Sequence, residues 1–200
     1  MRRTFNIALA LAVPLGFTAC GTDAALEVPA ARQVQIPAGA GSSLPHVATT
    51  EHGAILSWVE PADSGHALLF AEWDGSGWTE PRIVASGTGW FVNWADFPSV
   101  IALEDDELAA HWLQRSAAGT YAYDVMISRS HDGGATWSQA VRPHSDGTPT
   151  EHGFVSMFPV NGDLGVVWLD GRKFAERNGE AATNEMTLRF ATLKDGAAVA

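Results

Sequence analysis

The sequence predicts an all-β fold built from consecutive four-stranded antiparallel units. Three observations predict it. Trp58, Trp112 and Trp168 stand 54 and 56 residues apart, each inside a similar apolar run. The turn aspartates Asp74, Asp132 and Asp195 stand 58 and 63 residues apart. No stretch carries apolar residues at helical spacing; short runs of Val, Ile, Leu and aromatics are broken by Gly, Asp and Pro instead. A period of about 55 residues with four strands per unit is that of a β-propeller blade.

The units fall at about 43–85, 96–142 and 152–200. In the first, strands are expected near 45–50, 54–60, 67–73 and 78–84. In the second they are expected at 97–100, 108–113 and 124–128, followed by a tight turn. In the third they are expected at 154–157, 164–169 and 187–192, followed by Asp195-Gly196. That last unit lacks an outermost strand and a closing tryptophan in this reading. Three blades do not close a ring that takes four to eight. The expectation is therefore an incomplete ring, the N-terminal part of a longer protein, with an open sheet edge and an exposed apolar blade face.

Ahead of the units lies a targeting layout. Arg2 and Arg3 precede an apolar run, and Thr18-Ala19-Cys20 follows it. Residues 1–19 read as a signal peptide too short to span a bilayer. Cys20 is the only cysteine, so no intrachain disulfide forms. Its setting resembles the lipobox of bacterial lipoproteins, which implies lipidation at Cys20 and an anchor in the cell envelope. Residues 20–42, rich in Ala, Gly and Pro, read as a tether. The chain carries 23 Asp+Glu against 12 Lys+Arg, a net charge of −11. Phosphate binding needs a basic face, so nucleic acid is excluded as an expected partner.

The second unit closes on Ser130-His131-Asp132-Gly133-Gly134-Ala135-Thr136-Trp137. Asp132 can accept hydrogen bonds from the turn's own N–H groups, and the glycines supply positive φ. The pattern Ser-x-Asp-x-Gly-x-Thr-Trp, filled by Ser130, Asp132, Gly134, Thr136 and Trp137, resembles the Asp box of the sialidase-like β-propellers. Its role is read as structural. Residues 73–78 keep the aspartate, glycine and tryptophan of the same box. The resemblance implies a sialidase-like propeller that acts on glycans as an exo-glycosidase.

Strand direction alternates within a blade, so the Asp boxes lie on one face. The crossovers and the loops between second and third strands lie on the other. In sialidase-like propellers that other face carries the active site, which the resemblance implies here. Its loops hold Trp94 and Asp96, then Glu151 and His152, then Asp170 and Arg172 at the head of the longest loop. Asp170 and Glu151 are the candidate catalytic carboxylates, since glycoside hydrolysis uses a pair. Arg172, His152, Asp96 and Trp94 are the candidate ligand-binding residues. An arginine there suits a carboxylate or sulfate, and a tryptophan suits a sugar ring.

The family's arginine triad is not found; Arg32-Gln33-Val34 only echoes its first motif. Tyr121 and Tyr123 lie in the second unit, whereas the family's nucleophile comes late. His46, His144 and His152 suggest a metal, but no pair has zinc or calcium spacing, and no metal or cofactor is assigned. No nucleophile elbow or dinucleotide fingerprint occurs. Two readings stand together: a glycosidase, and a non-catalytic module binding a glycan, a small anionic ligand or a protein.

Overall fold

The computed structural model describes residues 31–104, 106–176, 181–194 and 197–199. The signal segment, Cys20, Asp195 and Gly196 lie outside them. From Gln35 onward the chain forms one compact unit. It holds three antiparallel sheets in chain order. The first comprises β1 (Ser43–Thr49), β2 (Ala54–Ala62), β3 (Gly65–Trp73) and β4 (Arg82–Gly87), hydrogen-bonded in that order. The second comprises β5 (Ser99–Ala102), β6 (Leu108–Arg115) and β7 (Tyr123–Ser130). The third comprises β8 (His152–Val160), β9 (Asp163–Asp170), β10 (Thr187–Lys194) and β11 (Ala197–Val199), again in sequence order. Among the described residues the one helical element is a 3-10 turn, Arg172–Phe174.

Two outer strands differ from expectation, and the third unit corrects it. Residues 78–81 fold back on β3 through a Trp73–Trp78 bridge and a Thr79 N–H to Glu72 carbonyl bond, so β4 starts at Arg82. The second unit's fourth strand shrinks to a single bridge between Ile127 and Val141. The third unit does possess an outermost strand: β11 pairs with β10 at Thr192–Val199 and Lys194–Ala197.

The sheets pack face to face with one phase. Directly paired residues share a face and successive residues alternate. Ile55, Val59, Leu68 and Phe70 of the first sheet meet Val100, Leu108, Ala110 and Trp112 of the second. Leu113, Val125 and Ile127 of the second meet Leu164, Val166 and Trp168 of the third. The three repeat tryptophans are all buried, each on the face turned away from the next sheet. Full burial of such a side chain contributes roughly 2–3 kcal/mol.

The Asp-box turn also locks the first two sheets together. Asp132 accepts hydrogen bonds from the Thr136 N–H at 2.8 Å and from the Thr136 and Ser130 hydroxyls at 2.6 and 2.8 Å. Those bonds hold its carboxyl down at about 2. Asp74 is held the same way by the N–H groups of Gly77 and Ser76 and the Ser76 hydroxyl. The second box reaches further than its own hairpin. The Trp137 ring meets Phe70 edge-on at 5.9 Å, and Arg82 donates to the Gly133 carbonyl. Gly134 has φ +83°, and a Cβ there would lie 2.4 Å from the Phe70 ring.

Gly134→Ala therefore meets both backbone strain and a clash with the neighbouring sheet. It should destabilise by roughly 2–4 kcal/mol in urea unfolding. Gly75→Ala, with φ +93° and nothing within 4 Å of the added Cβ, should cost about 1 kcal/mol. Equal losses in the two variants would rule out the inter-sheet role.

Candidate functional site

Two groupings occupy the face opposite the Asp boxes. The first is a buried ionic cluster. β9 ends at Asp170, and the chain turns at once because Gly171 N–H donates to the Glu151 carbonyl at 2.7 Å. Arg172 then folds back onto Asp170, its Nε and Nη2 donating at 2.6 Å to the two carboxylate oxygens. The Trp168 indole donates to the same carboxylate at 2.9 Å. Asp146, from the crossover between β7 and β8, adds a second carboxylate 3.4 Å from Arg172 Nη2 and 3.2 Å from His152 Nε2. Asp146, Asp170 and His152 side chains are fully buried.

The protonation of His152 follows from its surroundings. Nδ1 lies 3.2 and 3.1 Å from the carbonyls of Tyr123 and Thr150, which only accept. Nε2 faces Asp146 and lies 3.8 Å from Asp170. Both nitrogens therefore carry protons. Burial alone pushes the imidazole pKa down. The hydrogen bond and charge of Asp146, with the charge of Asp170, outweigh it and raise the pKa above its ordinary value. Burial likewise works against both carboxylates. Hydrogen bonds from His144, His152 and Thr148 still hold Asp146 well below the usual range, and those from Arg172 and Trp168 lower Asp170. Two carboxylates thus balance one guanidinium and one imidazolium.

His144 stacks on His152 at 4.0 Å with rings 5° apart, and its Nδ1 meets Asp146 at 3.2 Å. Its Nε2 is buried without a partner, 3.9 Å from Asp124. Asp124, His144 and His152, or Asp146, His152 and Asp170, offer donor atoms within 4.8 Å of one another, as a metal would need. The chemistry does not fit one. Both nitrogens of His152 are N–H donors, and Arg172 sits where a cation between the carboxylates would go.

The second grouping is a cleft of about 440 Å³ at the innermost strands of all three sheets. His46 comes from β1, Asp96 and Phe97 from the stretch leading into β5, Ser99 from the start of β5, and Phe154 from β8. Asp96 is 2% exposed; its Oδ2 accepts the Phe154 N–H at 2.9 Å and its Oδ1 has no partner. Burial pushes its carboxyl up to about 6; the Phe154 N–H works against this and the Glu151 charge adds to it. Local geometry makes that setting. Phe154 has φ +52° at a bulge in β8 that begins at Gly153. A Cβ on Gly153 would lie 2.2 Å from Asp96 and 2.8 Å from the Tyr123 ring. The bulge leaves Phe154 half-exposed on the cleft.

The sequence candidates thus divide. Asp170, Arg172 and His152 come together in the buried cluster. Asp96 lines the cleft at the three innermost strands. Glu151 stands behind it, accepting the Tyr123 hydroxyl at 2.8 Å. Trp94 is 84% exposed and makes none of these contacts. Sequence reasoning singles out neither Asp146 nor Tyr123. Asp146 lies in a polar run two residues from His144, and its partners arrive only through folding. Burial and Glu151 raise the Tyr123 pKa, so that phenol stays protonated.

No family model matches this chain, and no curated protein matches it. Among solved structures it is similar to an α-L-arabinofuranosidase from Clostridium thermocellum, at 12% identity and a TM-score of 0.45. The match covers 78% of this chain and 51% of that one, so the chain spans about half the neighbour's length.

Arg172→Ala would leave two buried carboxylates facing a single imidazolium. It should destabilise by roughly 3–5 kcal/mol at pH 7. The loss should shrink toward pH 4, because carboxylates robbed of their cation take up protons. Urea unfolding at the two pH values reads both effects. An unchanged stability at pH 7 would remove the cluster's structural role.

Proposed function

We propose that the three sheets are consecutive blades of a propeller whose axial cleft takes a carbohydrate, with Asp96 as the proton donor to a glycosidic oxygen. One observation carries the reading: the cleft shared by the three innermost strands holds a carboxyl raised to about 6. A general acid near neutral pH needs such a carboxyl, kept protonated by its surroundings. Phe97 and Phe154, 40% and 45% exposed at the cleft, offer flat apolar surface to the C–H face of a sugar ring. Asp170, ionised and clamped by Arg172, supports the loop rather than donating a proton, and that guanidinium is spent on Asp170 rather than on a ligand. The resemblance of the Asp box to sialidase-like propellers agrees with a glycan ligand.

A second reading is a non-catalytic glycan-binding module. It is favoured by Glu151, the nearest further carboxylate, being tied to Tyr123 rather than standing free as base or nucleophile. In either reading the protein is exported and anchored through lipid on Cys20. Replacing Cys20 with Ser should release it from the membrane fraction and abolish lipid labelling. Unchanged membrane association without any label in the parent protein would refute the anchor.

A panel of neutral and acidic glycosides separates the two readings. Hydrolysis should fall as pH rises through about 6, where Asp96 loses its proton. Asp96→Asn should reduce turnover by at least about a hundredfold while binding persists. Its stability signature runs alongside. A carboxyl raised from its unfolded value near 4 to about 6 favours folding below pH 4 and loses that advantage as pH climbs to 6. Asp96→Asn should therefore gain on the parent protein by about 2 kcal/mol between pH 4 and pH 7. Binding without turnover at any pH would select the module. No binding to any glycoside would sink both.

A further inference from the structure

A second cavity, of about 590 Å³, opens beside β7 of the second sheet. Its origin is local. On its inner side β7 pairs with β6, with Asp124 across from Gln114 and Met126 across from Trp112. On its outer side β7 meets the chain at Val141, opposite Ile127, and next at Thr150, which accepts the Tyr123 N–H. Pro143, without an N–H to offer a ladder, lies between those two points. Asp124 and Met126 therefore border a gap, and Arg142 and His144 of the crossover line it with them.

Each polar side chain at this cavity has a bond that decides which atom is left over. Gln114 Nε2 donates to the carbonyls of Thr88 and Gly89 at 3.2 and 3.0 Å, so its oxygen remains as an acceptor. Arg142 Nη1 donates to Asp124 Oδ2 at 3.0 Å, which leaves Oδ1. His144 Nδ1 lies 3.2 Å from Asp146 Oδ1, and an ionised carboxylate only accepts, so Nδ1 is the donor. The ring is held from a second direction by its stack on His152 at 4.0 Å. Nε2 is thereby turned on Asp124 Oδ1, 3.9 Å away and beyond hydrogen-bond reach. The His144 side chain is 3% exposed and its Nε2 has no partner. A buried polar atom in that state needs a reason.

We propose that His144 Nε2 and Asp124 Oδ1 hold a divalent transition-metal ion of the zinc type, with water in its remaining positions. An imidazole whose other nitrogen donates to a carboxylate is the common form of a metal-bound histidine, and Asp146 gives His144 that form. Zinc lies about 2 Å from an imidazole nitrogen and from a carboxylate oxygen, so one ion spans the gap. A tetrahedral angle asks the two side chains to close by roughly half an ångström. The imidazole selects zinc or copper over calcium or magnesium. His152 is not a ligand: both its nitrogens carry protons, and Nδ1 faces two carbonyls. The pair thus escapes the objection that rules out a metal on His152. No residue lines both this cavity and the carbohydrate cleft, so the metal site is independent of the glycan reading.

Zinc titration tests it, in a Cys20→Ser background that removes the lone thiol. Calorimetry should show one equivalent bound, and calcium should bind at least about a hundredfold more weakly. Asp124→Asn keeps an oxygen for Arg142, and His144→Phe keeps a ring against His152. Each should weaken zinc binding at least about tenfold. Melting curves without metal show whether both variants fold, and Asp124→Asn decides the matter if His144→Phe does not. His52→Gln and His131→Gln, at exposed histidines, should bind as the parent does. In nitrogen NMR one equivalent of zinc should move the His144 Nε2 signal and leave both His152 nitrogens protonated. No binding by the folded parent overturns the proposal. Binding that survives Asp124→Asn in full, or that is lost with His131→Gln, puts the ion elsewhere and overturns it as well. A His152 ring that gives up a proton to the metal overturns it too.

Discussion

Two fully buried carboxylates, Asp146 and Asp170, set the terms for the loop face of this protein. Isolated, each would cost several kcal/mol or would take up a proton. Neither is isolated. Arg172 grips Asp170 through both of its oxygens, and His152 stands between the two aspartates with both ring nitrogens protonated. The arrangement joins chain segments far apart in sequence. Asp146 belongs to the crossover that enters the third sheet, His152 begins its innermost strand, and Asp170 ends the next one. The ionic match therefore fixes where β8 starts. That in turn fixes the bulge at Gly153 and the placement of Phe154 over Asp96.

The cleft at the three innermost strands inherits its chemistry from this chain of constraints. Asp96 keeps its proton up to about pH 6 because Gly153 lets the backbone of β8 close over it and shut out water. The same burial raises Asp96 and opposes Asp170, with opposite net results. Asp170 has a guanidinium and an indole to hold its charge, and Asp96 has a single N–H and a negative neighbour. One carboxyl is thereby held ionised, and the other holds its proton to a higher pH.

Much of the framework is legible in the sequence, for local reasons. β2, β6 and β9 are recognisable because their tryptophans recur in register, and turns announce themselves through Asp and Gly. Asp170 and Arg172 can be paired on paper, being two residues apart at the end of an apolar strand. The rest depends on contacts that no spacing records. Asp146 meets Asp170 across a 24-residue separation only once β8 and β9 have paired. The role of Gly134 needs Phe70 from another sheet, and the outermost strand β11 needs the edge of β10, since its Ala-rich run has little β preference of its own. Trp94 reads as a ligand platform by residue type, yet it stands away from both groupings at the surface.

The protonation state of His152 tests the account most directly. Nitrogen NMR of the imidazole at pH 7 should show both ring nitrogens protonated, as their hydrogen-bond partners require, and the ring should convert to the neutral form together with loss of stability as pH rises through its raised pKa. A neutral ring at pH 7, with one nitrogen bare in a fully folded protein, would contradict the charge balance on which the arrangement of the loop face depends.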